Sequence, residues 1–101
     1  MDLAELKEIN KRLRDANGKI GHHKLQLDSV NDRINYITVC MQCSDRDEEI
    51  LALRNDLQKA IDKKRHVLLE IQRHEIIKEE IENEKEEGEY RRKTQYMGQF
   101  R

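Results

Sequence analysis

Residues 6–41 read LKEIN KRLRDANGKI GHHKLQLDSV NDRINYITVC M, and this stretch decides the fold. Apolar side chains recur in it at alternating intervals of three and four. They are Leu6, Ile9, Leu13, Ala16, Ile20, Leu27, Val30, Ile34, Ile37 and Met41, with His23 the one polar member of the series. Ten apolar positions out of eleven is no accident in a chain that is 36% hydrophobic. Such spacing keeps one stripe of an α-helix apolar over many turns, which is the a/d seam of a coiled coil. The chain is expected to be a long helical device for holding something, and not an enzyme.

Composition points the same way. The chain has 101 residues, no Pro, 4 Gly, 4% aromatics and 41% charged residues. A sandwich or barrel needs turn residues and β-branched or aromatic strands, and few are present. The formal net charge is −1, so bulk electrostatics select no partner. Locally, residues 1–44 carry +1, residues 45–90 carry −6 and residues 91–101 carry +4. A short basic end thus follows an acidic helix. That pattern lacks the broad basic face of a DNA-binding domain and argues against nucleic acid as a direct ligand. No apolar run approaches the roughly 18 residues that span a membrane, and the first residues lack the pattern of a secretory signal. A cytoplasmic protein is expected, with its two cysteines, Cys40 and Cys43, reduced.

The punctuation sets the elements. Asp2 is a credible N-cap with Glu5 as its capping-box partner, and Met1 and Leu6 suit a hydrophobic staple around them. Gly18 and Gly21 each cost about 1 kcal/mol relative to Ala in a helix, yet the apolar phase passes through them without a slip. One helix over 2–43 is expected, and two helices broken near Gly18 are the alternative. Ser44-x-x-Asp47 and Asp45-x-x-Glu48 are overlapping N-cap signals, and Asp47, Glu48 and Glu49 suit the first turn of a second helix. That helix is expected over 46–87, after a turn at 44–45. Its seam is Ile50, Leu53, Leu57, Ala60, Val67, Ile71 and Ile81, interrupted by Lys64, His74 and Lys78. Gly88 is a plausible stop. The expected division is a hairpin over 1–88 and a basic, aromatic tail over 89–101.

Two long helices joined by a short turn run antiparallel, so the fold class is all-α, a long antiparallel helical hairpin. A lone pair of helices leaves its seam partly wet, so a homodimer with four helices is expected. Tyr36, Val39, Cys40 and Cys43 fall at i, i+3, i+4 and i+7, a second apolar stripe off the seam and close to the turn. Leu51 lies at the same end of the second helix. These five residues are the expected interface.

Cys40-Met41-Gln42-Cys43 is the most specific chemical motif. Two thiolates so spaced chelate one zinc ion, which takes four ligands. Two chains meeting at their turns would supply two each. The placement resembles the zinc hook of the Rad50 family of DNA-repair proteins, and the resemblance implies dimerisation through a shared metal. It is confined to these four residues, and Met41 continues the seam where the hook has a turn-forming residue. Packing of both thiols as small apolar groups is the competing expectation. Pairing across the turn places His23 near His66, while His22 points elsewhere. His23, Lys64 and His74 read as polar residues that fix register in the seam. There is no Gly-rich phosphate loop, nucleophile elbow or His-Glu-x-x-His motif.

The last stretch differs from the rest. Tyr90, Tyr96 and Phe100 are three of the chain's four aromatics, and they are interleaved with Arg91 and Arg92. Aromatic and Arg anchors suit docking to a larger protein. The expected function is a non-enzymatic interaction module, an adaptor or small inhibitor, without a cofactor. A self-assembling scaffold, a zinc-linked dimer and a nucleic-acid-associated regulator are the alternatives.

Overall fold

The computed structural model describes the backbone of residues 2–98 and the side chains of residues 2–90. The chain is an all-α antiparallel helical hairpin. Helix α1 spans Leu3–Cys43 and α2 spans Asp47–Gly98. Three non-helical residues, Ser44, Asp45 and Arg46, join them.

The start of α1 follows its sequence signal. The Asp2 carboxylate accepts from the Glu5 backbone N–H at 2.8 Å, and the Asp2 carbonyl accepts from Leu6 N–H at 3.1 Å. An N-cap does this by occupying donors that the first turn leaves orphaned. The Met1 half of the expected staple lies outside the described residues. Gly18 and Gly21 do not break α1, and both keep helical backbone. The reason is that the seam runs through them in phase, so packing on either side outweighs their intrinsic cost.

The start of α2 differs from expectation. Neither Ser44 nor Asp45 is the cap. Arg46 holds that place, because its carbonyl accepts the first helical bond, from Ile50 N–H at 3.0 Å. Ser44 instead accepts from the Arg46 N–H at 3.4 Å, two residues on. The local turn competes with the cap for the hydroxyl and wins. Asp47, Glu48 and Glu49 do occupy the first turn, where the helix dipole favours them.

The far end differs too. α2 does not stop at Gly88 but continues to Gly98. In the sequence, Glu87 stands four residues before Arg91 and Glu89 four before Lys93. Glu placed N-terminal to a basic residue at that spacing favours helix, and it offsets one glycine.

Two compact units make up the chain, residues 21–72 and residues 1–20 with 73–101. In the first, the core is Val30 and Ile37 of α1 against Ala60, Val67 and Ile71 of α2. In the second, Ile9, Ala16 and Ile81 pack together, with Leu13 against them. Arg12 pairs with Glu84 at 2.9 Å and Lys85 donates to Asn10 at 3.2 Å in this unit, so lower numbers on one helix meet higher numbers on the other. Every buried hydrophobic residue, including Ile20, belongs to the expected seam. No described side chain is wholly buried, however. Two helices enclose a seam on two sides only.

Candidate functional site

The seam fixes which way every other residue points. In a helix whose a/d positions face a partner, the c and f positions face away from it, with f directly opposite. Counted from Ile20 as a, Tyr36 and Cys43 fall at c, and Leu25 and Val39 at f. The structure bears this geometry out. Tyr36 is 71% exposed and Val39 55%, and Cys43 is exposed, whereas Cys40, at the seam's flank, is half-buried. Leu51, in the first turns of α2, is 59% exposed. The expected stripe therefore belongs to the outer face of α1 and adds nothing to the hairpin's own core.

Polar groups on this stretch are turned back onto the helix. The Thr38 hydroxyl donates to the Ile34 carbonyl at 2.8 Å, one turn earlier. The Tyr36 hydroxyl is paired with the Cys40 thiol one turn on. That hydrogen bond, then the charge Cys40 carries when ionised, then slight desolvation raise the Tyr36 pKa above its ordinary value. Both side chains are thus less dependent on water than their exposure alone implies.

Cys40 and Cys43 are free thiols in the last turn of α1, and both are helical. The stretch lacks the turn between cysteines that the hook-like reading expects.

The histidine expectation needs correction. His23 does not lie near His66, which is exposed. Within the unit of residues 21–72, its ring comes within 4.8 Å of a Glu70 carboxylate oxygen. Its Nδ1 also donates to Gln26 at 2.9 Å. The four-residue offset has a simple origin. Side chains lean toward the N-terminus of their own helix. In a hairpin that lean points away from the turn on α1 and toward it on α2. A residue of α1 therefore meets α2 farther along than counting from the turn suggests.

Three outer residues were missed by the reading of the sequence. In the unit of residues 21–72, Leu25 and Leu69 are 70% and 60% exposed. In the other unit, Ile76 is half-exposed and Tyr90 largely exposed. Leu69, Ile76 and Tyr90 all occupy f positions counted from Ile71 as a. A scan for apolar residues opposite the seam, not only beside it, finds them. Of the expected docking residues, Tyr90 stands on α2. The side chains of Arg91, Arg92 and Tyr96, and all of Phe100, lie outside the described residues.

Among the described residues, no helix is long and apolar enough to cross a membrane. Compared with known protein families, curated proteins and solved structures, the chain has no significant match.

Proposed function

We propose that this chain is a non-enzymatic protein-interaction module, an adaptor or small inhibitor. It binds a larger protein through an outer helical face or through its C-terminal stretch. The observation that supports this reading is the set of large apolar side chains opposite the seam, Leu25 and Leu69 in one unit and Ile76 and Tyr90 in the other. A hairpin's own stability does not need them there. On a surface this rich in charge, each is either idle or a contact residue, and aromatic and aliphatic anchors carry most of the energy of protein interfaces.

The test is affinity capture on the immobilised full chain, from cells of its source, with bound proteins identified by mass spectrometry. Leu69→Asp and Tyr90→Asp replace exposed side chains, so helicity should be unchanged. The reading expects a protein bound by the parent chain and lost from at least one variant. Capture of nothing above the control, or equal capture by all three chains, overturns it.

A further inference from the structure

Ile34–Ser44 is a run of eleven residues without a single charge, in a chain that is 41% charged. Its outer face carries Tyr36 and Val39, and its Tyr and Thr hydroxyls are already bonded within the helix. Charge depletion around an aromatic residue is the composition of an interface core.

The borders of the run are as informative as its centre. The same dipeptide stands at both, Asp32-Arg33 before it and Asp45-Arg46 after it, and Val39 is the midpoint. If two copies lie antiparallel about a twofold axis at Val39, position 32 of one meets position 46 of the other, and 33 meets 45. Asp32 then faces the partner's Arg46, and Arg33 faces the partner's Asp45, each pair occurring twice. Parallel pairing sets Asp32 against the partner's Asp32 and Arg33 against the partner's Arg33. Asp32 is two helical turns from Val39, at the same f position, so it stands on the face that the pairing uses. Arg46 adds a local clue. It occupies the N-cap of α2, where a helix dipole disfavours a cation and Ser, Thr, Asn or Asp serves better.

We propose that the charge-free outer face of α1 between Ile34 and Cys43 binds a second copy of this chain, the two packing antiparallel about Val39. The interface is isologous, each copy giving the same patch. The proposal rests on the reading that outer apolar residues of this chain are contact surfaces, and it assigns one group of them to self-association. Leu25, Leu69, Ile76 and Tyr90 are left for a larger partner.

The experiment measures the mass of the full chain by sedimentation equilibrium across a concentration series. A dimer is expected. Val39→Glu sets two like charges on the axis and should weaken it at least about 100-fold, with helicity retained. Arg46→Asp should separate two effects, raising the thermal midpoint of the hairpin while weakening the dimer about tenfold. Adding Asp32→Arg to that variant should restore the dimer. A second, geometric readout is Val39→Cys in a Cys40→Ser, Cys43→Ser background, which should oxidise to a symmetric interchain disulfide. A monomer at every concentration, a dimer indifferent to Val39→Glu, or failure of the charge swap to restore mass overturns the proposal. If the chain is a monomer yet still captures a larger protein through Leu69 or Tyr90, only the self-association is wrong. If capture fails as well, the reading beneath it falls too.

Discussion

His23 of α1 lies against Glu70 of α2, a ring nitrogen and a carboxylate oxygen within 4.8 Å of one another. The pair sits where the seam would otherwise hold an apolar side chain, for His23 is a d position and half-buried. Polar residues at such positions fix register at a cost in stability. His23→Leu should therefore stabilise the hairpin by about 1 kcal/mol. Urea denaturation followed by circular dichroism measures this. A lower midpoint would show that the contacts to Gln26 and Glu70 outweigh the burial gained.

Gly18 and Gly21 face open space, and a Cβ added at either meets nothing within 4 Å. Both already have helical backbone. Gly18→Ala and Gly21→Ala should each raise stability by about 1 kcal/mol, through helix propensity and a less disordered unfolded state. Midpoints that stay put or fall would mean that the glycines serve an approach by another molecule.

Much of the fold was legible because one pattern dominates. The 3–4 seam named every residue that proved buried, and Asp2 with Glu5 marked the true start of α1. Other points depended on competition between neighbours. Ser44 carries a cap signal, but its hydroxyl is taken by the Arg46 N–H, so α2 begins one residue later than expected. Gly88 carries a stop signal, but α2 passes through it. The meeting of His23 with Glu70, not His66, follows from the opposed lean of side chains on the two helices, which residue counting ignores. Of the candidate surface, Tyr36 and Val39 were visible as a stripe. The matching dipeptides at its borders acquire meaning only when Val39 is known to face outward.

In the unit formed by residues 1–20 and 73–101, packing and charge differ in scale. Ile81 is buried against Ile9 and Ala16, so Ile81→Ala should cost about 2–4 kcal/mol. Arg12 and Glu84 meet at 2.9 Å, but both side chains are roughly half in water. Glu84→Gln should cost at most about 1 kcal/mol, and less in high salt. Denaturation of both variants at low and high ionic strength separates the terms. Equal losses would show that the ion pair is shielded from solvent.

Tyr36 should ionise at higher pH than an ordinary tyrosine, because the Cys40 thiol one turn away holds its proton in place. A raised folded-state value means that any stability it lends is complete below the unfolded tyrosine pKa. That stability is lost as pH climbs through the folded one. In a chain with Tyr90 and Tyr96 changed to Phe, phenolate absorbance follows Tyr36 alone. Cys40→Ala should bring the transition back toward the ordinary value. An unmoved transition would rule out the contact.

The three-residue connection between Cys43 and Asp47 also sets an order of events in time. Val30 and Ala60, both buried in one unit, are separated by 30 residues of chain, and Ile9 and Ile81, packed in the other, by 72. The larger loop costs about 0.8 kcal/mol more to close. Folding should then begin beside the turn and proceed outward, as a zip closes. Val67→Ala should slow folding, whereas Ile81→Ala should mainly hasten unfolding. The Tyr36–Val39 face belongs to the part that closes early, so a nascent chain presents it before Ile9 has met Ile81.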